Sequence, residues 1–234
     1  APDLEALLAT RGEGQGLPRA VYLDEGLYAA ELCRIWEAGW LFAGFAFELP
    51  NPGDYITFAV DSTPVLVLRG DDGEVRAFHN VCRHRGTQLC RADSGHLRSI
   101  VCPYHSWTYE RNGALRHCHG MHDGVDKSQL GLTPVHAAVV TGLIYVCLAA
   151  EPPDLDGLRR DFAAAGRPQG FERARLAHVV DVEVDANWKL VWENNRECYH
   201  CVPCHPQYVK SNFDVVDEQT ASPAVRPPRG RSHP

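Results

Sequence analysis

The chain has 234 residues, 44% hydrophobic and 23% charged, enough for one large domain or two modest ones of ordinary globular composition. Its formal charge of -7 comes without a basic cluster, so nucleic acid and anionic membrane surfaces are excluded as expected partners. No apolar run reaches membrane-span length and the first residues lack a basic head with an apolar stretch, so the chain reads as cytoplasmic. Nine cysteines, several with a histidine two or three residues away, point to metal binding rather than to a disulfide framework.

In chain order, Asp24 is placed to cap a helix running to Trp40, with Leu27, Leu32, Ile35, Trp36 and Trp40 at near-helical intervals. From Asp54 the texture changes to short strands, read at 54–60, 64–70 and 74–81. Gly70-Asp71-Asp72-Gly73 forms the hairpin turn between the last two. Further strands are expected at 96–101, 106–110, 135–140 and 143–148, the final pair joined by Thr141-Gly142. Glu151-Pro152-Pro153 marks a boundary, followed by a short helix around Leu155–Ala165. Val180, Val182 and Val184 alternate with Asp181, Glu183 and Asp185, the pattern of a half-buried strand. Asp185 or Asn187 caps the next helix, whose apolar side is Trp188, Val191, Trp192 and Tyr199. The division is therefore residues 1–40, a helical segment; 41–150, a small antiparallel β domain; and 151–234, the start of another domain.

Two motifs carry chemistry. In the first, Cys82-Arg83-His84 and Cys102-Pro103-Tyr104-His105 are separated by 17 residues, each half offering one thiolate and one imidazole. A binuclear [2Fe–2S] centre with two cysteines on one iron and two histidines on the other needs that set. Neutral imidazoles leave the cluster less negative, and so easier to reduce, than four thiolates would. Zinc is the competing ligand, but zinc-finger spacing groups cysteines with cysteines, whereas here the two types alternate. Cys90 reads as packing, and His117, Cys118, His119 and His122 as a solvated loop rather than a metal site.

In the second motif, Glu193-Asn194-Asn195-Arg196-Glu197-Cys198-Tyr199-His200 precedes His205. On a continuous helix Glu197 and His200 share a face, and Pro203 and Pro206 bend or end it so that His205 swings back. Two histidines with a later carboxylate make the facial triad of non-haem Fe(II) oxygenases. Cys198, Cys201 and Cys204 offer a rival thiolate site, read instead as packing, because thiolates favour zinc over oxygen-reactive iron.

Cys82–Cys90, Cys102–Trp107 and Asn187–His205, in that order, resemble the Rieske non-haem iron ring-hydroxylating oxygenase alpha subunits. The resemblance implies an α+β fold: an antiparallel β Rieske domain, then the start of a helix-grip catalytic domain. It implies iron on His200 and His205, with Glu197 bridging hydrogen bonds from a neighbouring subunit's cluster histidine to an iron-bound histidine. It further implies O2 as co-substrate, NAD(P)H used through a flavin/iron–sulfur reductase, and a homotrimer. Most relatives carry aspartate as the bridge; the glutamate and its surroundings are similar to the branch acting on quaternary ammonium compounds, which are hydroxylated or N-demethylated. Aromatic-ring dioxygenation or O-demethylation is the alternative within the family, and a Rieske electron carrier without its own oxygenase chemistry the alternative outside it. The family's carboxylate iron ligand comes much later in the chain. Asp214, Asp217 and Glu218 are the nearby acids after His205, none in that context, so the expectation is a truncated chain.

Overall fold

A computed structural model describes residues 3–122, 124–197 and 200–211. The Asp3 carboxylate accepts from the amides of Glu5 and Ala6 and so starts α1 (Leu4–Ala9); α2 (Ala20–Leu23) is a single turn. The helix α3 (Glu25–Glu31) continues as a π turn over Leu32–Trp36 and stops there. Trp40 thus lies beyond the helix expected to reach it; its indole N–H donates to the Pro153 carbonyl at 2.7 Å.

Ten strands follow among the described residues: β1 (Leu41–Phe45), β2 (Asp54–Val60), β3 (Thr63–Arg69), β4 (Val75–His79), β5 (Ser94–His96), β6 (Ile100–Val101), β7 (Thr108–Tyr109), β8 (Leu115–His117), β9 (Pro134–Val140) and β10 (Leu143–Cys147). They form an antiparallel seven-stranded sheet, β1-β10-β9-β4-β3-β2-β5, and a three-stranded one, β6-β7-β8. The antiparallel β domain anticipated from the sequence is present. Strand β3 explains its own composition: Val65 and Val67 enter one core while Leu66 and Leu68 enter another, and all four are fully buried. A strand covered on both faces reads as a continuous apolar run. The core on the Leu66 side also holds Cys82, Cys102, Trp107 and Tyr109, so the first motif is built into hydrophobic packing.

The strand expected at 96–101 is instead two, belonging to different sheets. The Leu97 amide donates back to Gly53 and its carbonyl accepts from Arg111, which turns the chain between them. Gly53 makes this possible, with φ +96° and an absent Cβ that would strike the Leu97 carbonyl oxygen. Gly53→Ala is expected to destabilise the domain by about 2–4 kcal/mol, a positive-φ penalty plus a backbone collision. Chemical denaturation would measure it, and an unchanged midpoint would contradict the assignment of this turn.

Beyond the sheets lie α4 (Asp156–Gly166), α5 (Trp188–Arg196), α6 (Cys201–Cys204) and α7 (Pro206–Ser211). The strand expected around Val180–Val184 is not formed among the described residues. A strand exists only in a ladder, and Val180, Val182 and Val184, 68%, 74% and 58% exposed, meet no pairing segment there. The helix after it starts as anticipated, with the Asn187 side chain accepting from the Lys189 amide. The chain groups into two compact units, one holding Glu25–Val180, the other joining residues before Glu25 to those from Asp181 onward. No helix among the described residues is long and apolar enough to cross a membrane.

Candidate functional site

The first motif occupies two loops of one construction, between β4 and β5 and between β6 and β7. In each, the cysteine amide donates to the carbonyl five residues on: Cys82 to Thr87 and Cys102 to Trp107, both at 2.8 Å. In each, the residue four positions on donates back to the cysteine carbonyl, Gly86 at 3.0 Å and Ser106 at 3.1 Å. Both of these residues take positive φ, +73° and +56°. Two matching turns therefore present one cysteine and one histidine each.

The side chains meet across the loops as like pairs. The Cys82 and Cys102 thiols belong to one buried cluster, both 3% exposed. The His84 and His105 rings stand 4.9 Å apart at 65°, and both are half-buried. No three His, Cys, Asp or Glu among the described residues converge on a single ion, and ligation of two irons by two residues each requires no such convergence. Burial raises the Cys82 thiol above its ordinary range, with Tyr109 pulling the other way, so a bound metal is what would hold it ionised. The Nδ1 atom of His105 is buried with no hydrogen-bond partner among the described residues, the placement of a ligand lone pair. The residues fit a Rieske cluster: Cys82 and Cys102, in the interior, would hold one iron, and His84 and His105, towards the surface, the other. There His84, Tyr104, His105, Ser106, His119, Gly120 and Met121 line an open cleft of about 410 Å³.

Three residues support the site; Asn80 and Tyr109 escaped the sequence reading, and Trp107 entered it only as part of the motif. Trp107, 2% exposed, stacks on the His84 ring at 4.8 Å and 7° and so fixes its plane. Asn80, fully buried, donates to the Cys90 carbonyl at 2.7 Å and accepts from the Cys90 amide at 2.9 Å, closing the first loop at its base. Tyr109 places its hydroxyl 3.3 Å from the Cys82 sulfur and accepts from the Arg83 amide at 3.0 Å. Because the amide can only donate, the tyrosine's own proton is left for the sulfur. A hydrogen bond to a ligand sulfur stabilises the more negative, reduced cluster. Tyr109→Phe is expected to keep the cluster and lower its reduction potential on the order of 50 mV, about one decade in a one-electron equilibrium. Redox titration followed by EPR would read the shift, and an unmoved potential would contradict this role.

Of the remaining cysteines and histidines near the cluster, the Cys90 thiol is buried and pushed up to about 11 by that burial, as packing requires. His117, His119 and His122 are exposed.

The second motif departs from the continuous helix. Helix α5 ends at Arg196; Glu197 takes φ -102° and ψ 88°, and its amide donates to the Asn194 carbonyl three residues back. Asn194 and Asn195 are weak helix formers, so the last turn tightens and stops there. Glu197 and His200 therefore do not share a helix face. His200 starts α6, and His205 falls in the break before α7, where Pro206 opens the next helix. Their rings stand 5.5 Å apart at 78°, a spacing from which both can face one ion. Cys201 is half-buried and Cys204 exposed; Cys198, Tyr199, Asp214, Asp217 and Glu218 lie outside the described residues.

Residues 39–132 match the Rieske [2Fe-2S] domain, and residues 171–232 the ring hydroxylating alpha subunit (catalytic domain). The glycine betaine monooxygenase oxygenase subunit of Pseudomonas aeruginosa (strain UCBPP-PA14) is 39% identical over 224 residues, covering 94% of this chain and 52% of that protein. The carnitine monooxygenase oxygenase subunit of Escherichia coli (strain K12) is 30% identical over 220 residues, covering 90% of this chain and 58% of that protein. Among solved structures, a quaternary ammonium Rieske monooxygenase in complex with L-carnitine superposes with a TM-score of 0.77 at 30% identity, covering 83% of this chain and 56% of the other. Naphthalene 1,2-dioxygenase with bound indole gives 0.72 at 34% identity, covering 89% and 48%. The chain spans about half the length of the curated relatives it matches, and it belongs to the Rieske-domain ring-hydroxylating oxygenase alpha-subunit family.

Proposed function

We propose that this chain carries the electron-transfer centre and the first iron-binding residues of an oxygenase component that oxidises a quaternary ammonium substrate. The observation that carries the reading is the 39–40% identity to glycine betaine monooxygenase oxygenase subunits over 94% of the chain. Glu197 in the bridging position agrees with it.

When bound, the [2Fe–2S] cluster supplies one-electron transfer and Fe(II) supplies dioxygen activation, with electrons from NAD(P)H arriving through a reductase. Cys82 and Cys102, both buried, would hold one cluster iron, and the half-buried His84 and His105 would hold the other. Tyr109 and Trp107 hold that ligand set in register. His200 and His205 would supply two imidazoles to a mononuclear iron. Glu197 would accept hydrogen bonds joining an iron-bound histidine to a cluster histidine of a neighbouring subunit in a trimer. Its side chain is one methylene longer than aspartate, so its path differs in length from the aspartate enzymes.

The overall reaction inserts one oxygen atom into an N-methyl C–H bond. The methylammonium, O2, two electrons and two protons give the N-hydroxymethyl ammonium and water. Cleavage of its C–N bond then releases formaldehyde, the tertiary amine and a proton. Formaldehyde release from glycine betaine, carnitine and choline, with reductase and NADH supplied, tests the reading against aromatic acids. Product from a methylated amine supports it; product only from an aromatic compound replaces it with ring dioxygenation or O-demethylation.

A further inference from the structure

The helix that leads into the second motif is short and poorly covered. Helix α5 has nine residues, below the length at which an isolated helix persists in water. Leu190, Val191 and Trp192 are 43%, 48% and 56% exposed, so apolar packing does little to fix it. One residue grips it at two places. The Tyr22 hydroxyl lies 2.9 Å and 3.0 Å from the two carboxylate oxygens of Glu193 and donates its proton between them. The Tyr22 carbonyl accepts from the Asn187 side-chain amide at 3.0 Å. The oxygen of that same amide caps α5 by accepting from Lys189 at 3.0 Å. Asn187 and Glu193 are six residues apart, about 9 Å along the axis. A rod held at one point can still rotate; held at two, its position and rotation are both set. Glu197 follows Glu193 by about one turn, and His200 comes next.

We propose that Tyr22 is a positioning residue for the second metal site: it locks the rotation of α5 and thereby the placement of Glu197 and His200. This role rests on the reading of His200 and His205 as iron ligands. It also explains why a segment near the start of the chain belongs to the same compact unit as a helix some 170 residues later. The phenol, not the ring, is the acting group, so Tyr22→Phe keeps the aromatic packing and removes only the grip on Glu193. Glu193→Gln keeps an acceptor for the phenol, whereas Glu193→Leu does not.

The test uses the full chain, reconstituted anaerobically with ferrous iron and probed with nitric oxide. In Tyr22→Phe and Glu193→Leu, amide hydrogen exchange across 188–196 is expected to quicken and iron retention beyond the cluster to weaken about fivefold. The ferrous-nitrosyl EPR signal changes its rhombicity while the reduced-cluster signal stays as in the parent. Glu193→Gln restores all three readouts towards the parent, and the double variant is no worse than either single one. Unchanged exchange and nitrosyl signal in Tyr22→Phe would overturn the proposal. A parent chain that retains no iron beyond the cluster would overturn it through the ligand reading instead; faster exchange in Tyr22→Phe would then show that the grip on α5 exists without serving a metal.

Discussion

Glu197→Ala is expected to leave the cluster fully loaded and to reduce turnover by about 10–100-fold, as loss of a group that orients a metal ligand does. Glu197 is no cluster ligand, and it belongs to a different compact unit from Cys82, His84, Cys102 and His105. Iron, sulfide and the reduced-cluster EPR signal should therefore match the parent. The defect should appear as an electron that stays put: with substrate and O2 present, the pre-reduced cluster reoxidises slowly. Glu197→Asp shortens the reach by one methylene and should fall between parent and alanine variant. Product formation at the parent rate in Glu197→Ala would remove the bridging role.

The second large effect belongs to Asn80. Its amide satisfies both backbone groups of Cys90 from a fully buried position. After Asn80→Ala the Cys90 carbonyl keeps the Gln88 amide at 3.0 Å, but the Cys90 amide loses its partner inside the core. An orphaned buried donor and the small void beside it together cost about 3 kcal/mol. That is a large share of the 5–15 kcal/mol by which a domain is ordinarily stable. The loop it closes carries Cys82 and His84, so the same variant should release its cluster faster under mild denaturant. The bleaching rate of the visible iron–sulfur absorption measures this, and a parent-like rate would show that the loop holds without its clamp.

Both residues bear on what could be read from the chain alone. Strand β2 begins and ends where its sequence pattern places it, and β3 is recognisable as an apolar run, because burial on a sheet leaves a local signature. The four cluster ligands were legible for a chemical reason: few other centres use alternating thiolates and imidazoles at that spacing. Asn80 and Tyr109 were not, since their partners lie 10 and about 27 residues away and neither type is distinctive on its own. The second motif was misread in shape for a local reason. Helical spacing carries from Trp188 through Asn194-Asn195 to His200, with the break expected at Pro203 and Pro206, whereas the backbone stops at Arg196 and restarts at α6. Val180–Val184 has a strand's alternation, but alternation records only what a segment can bury, and no pairing segment is found for it among the described residues.

The electron-transfer role depends on iron and inorganic sulfide at the first motif. The measurement that tests it most directly is iron, zinc and acid-labile sulfide per chain on anaerobically purified protein, with an EPR spectrum after reduction. Two sulfides with at least two irons per chain, and a reduced signal of low average g, are expected, with a third iron if His200 and His205 are filled. Zinc without sulfide would contradict the account at its root.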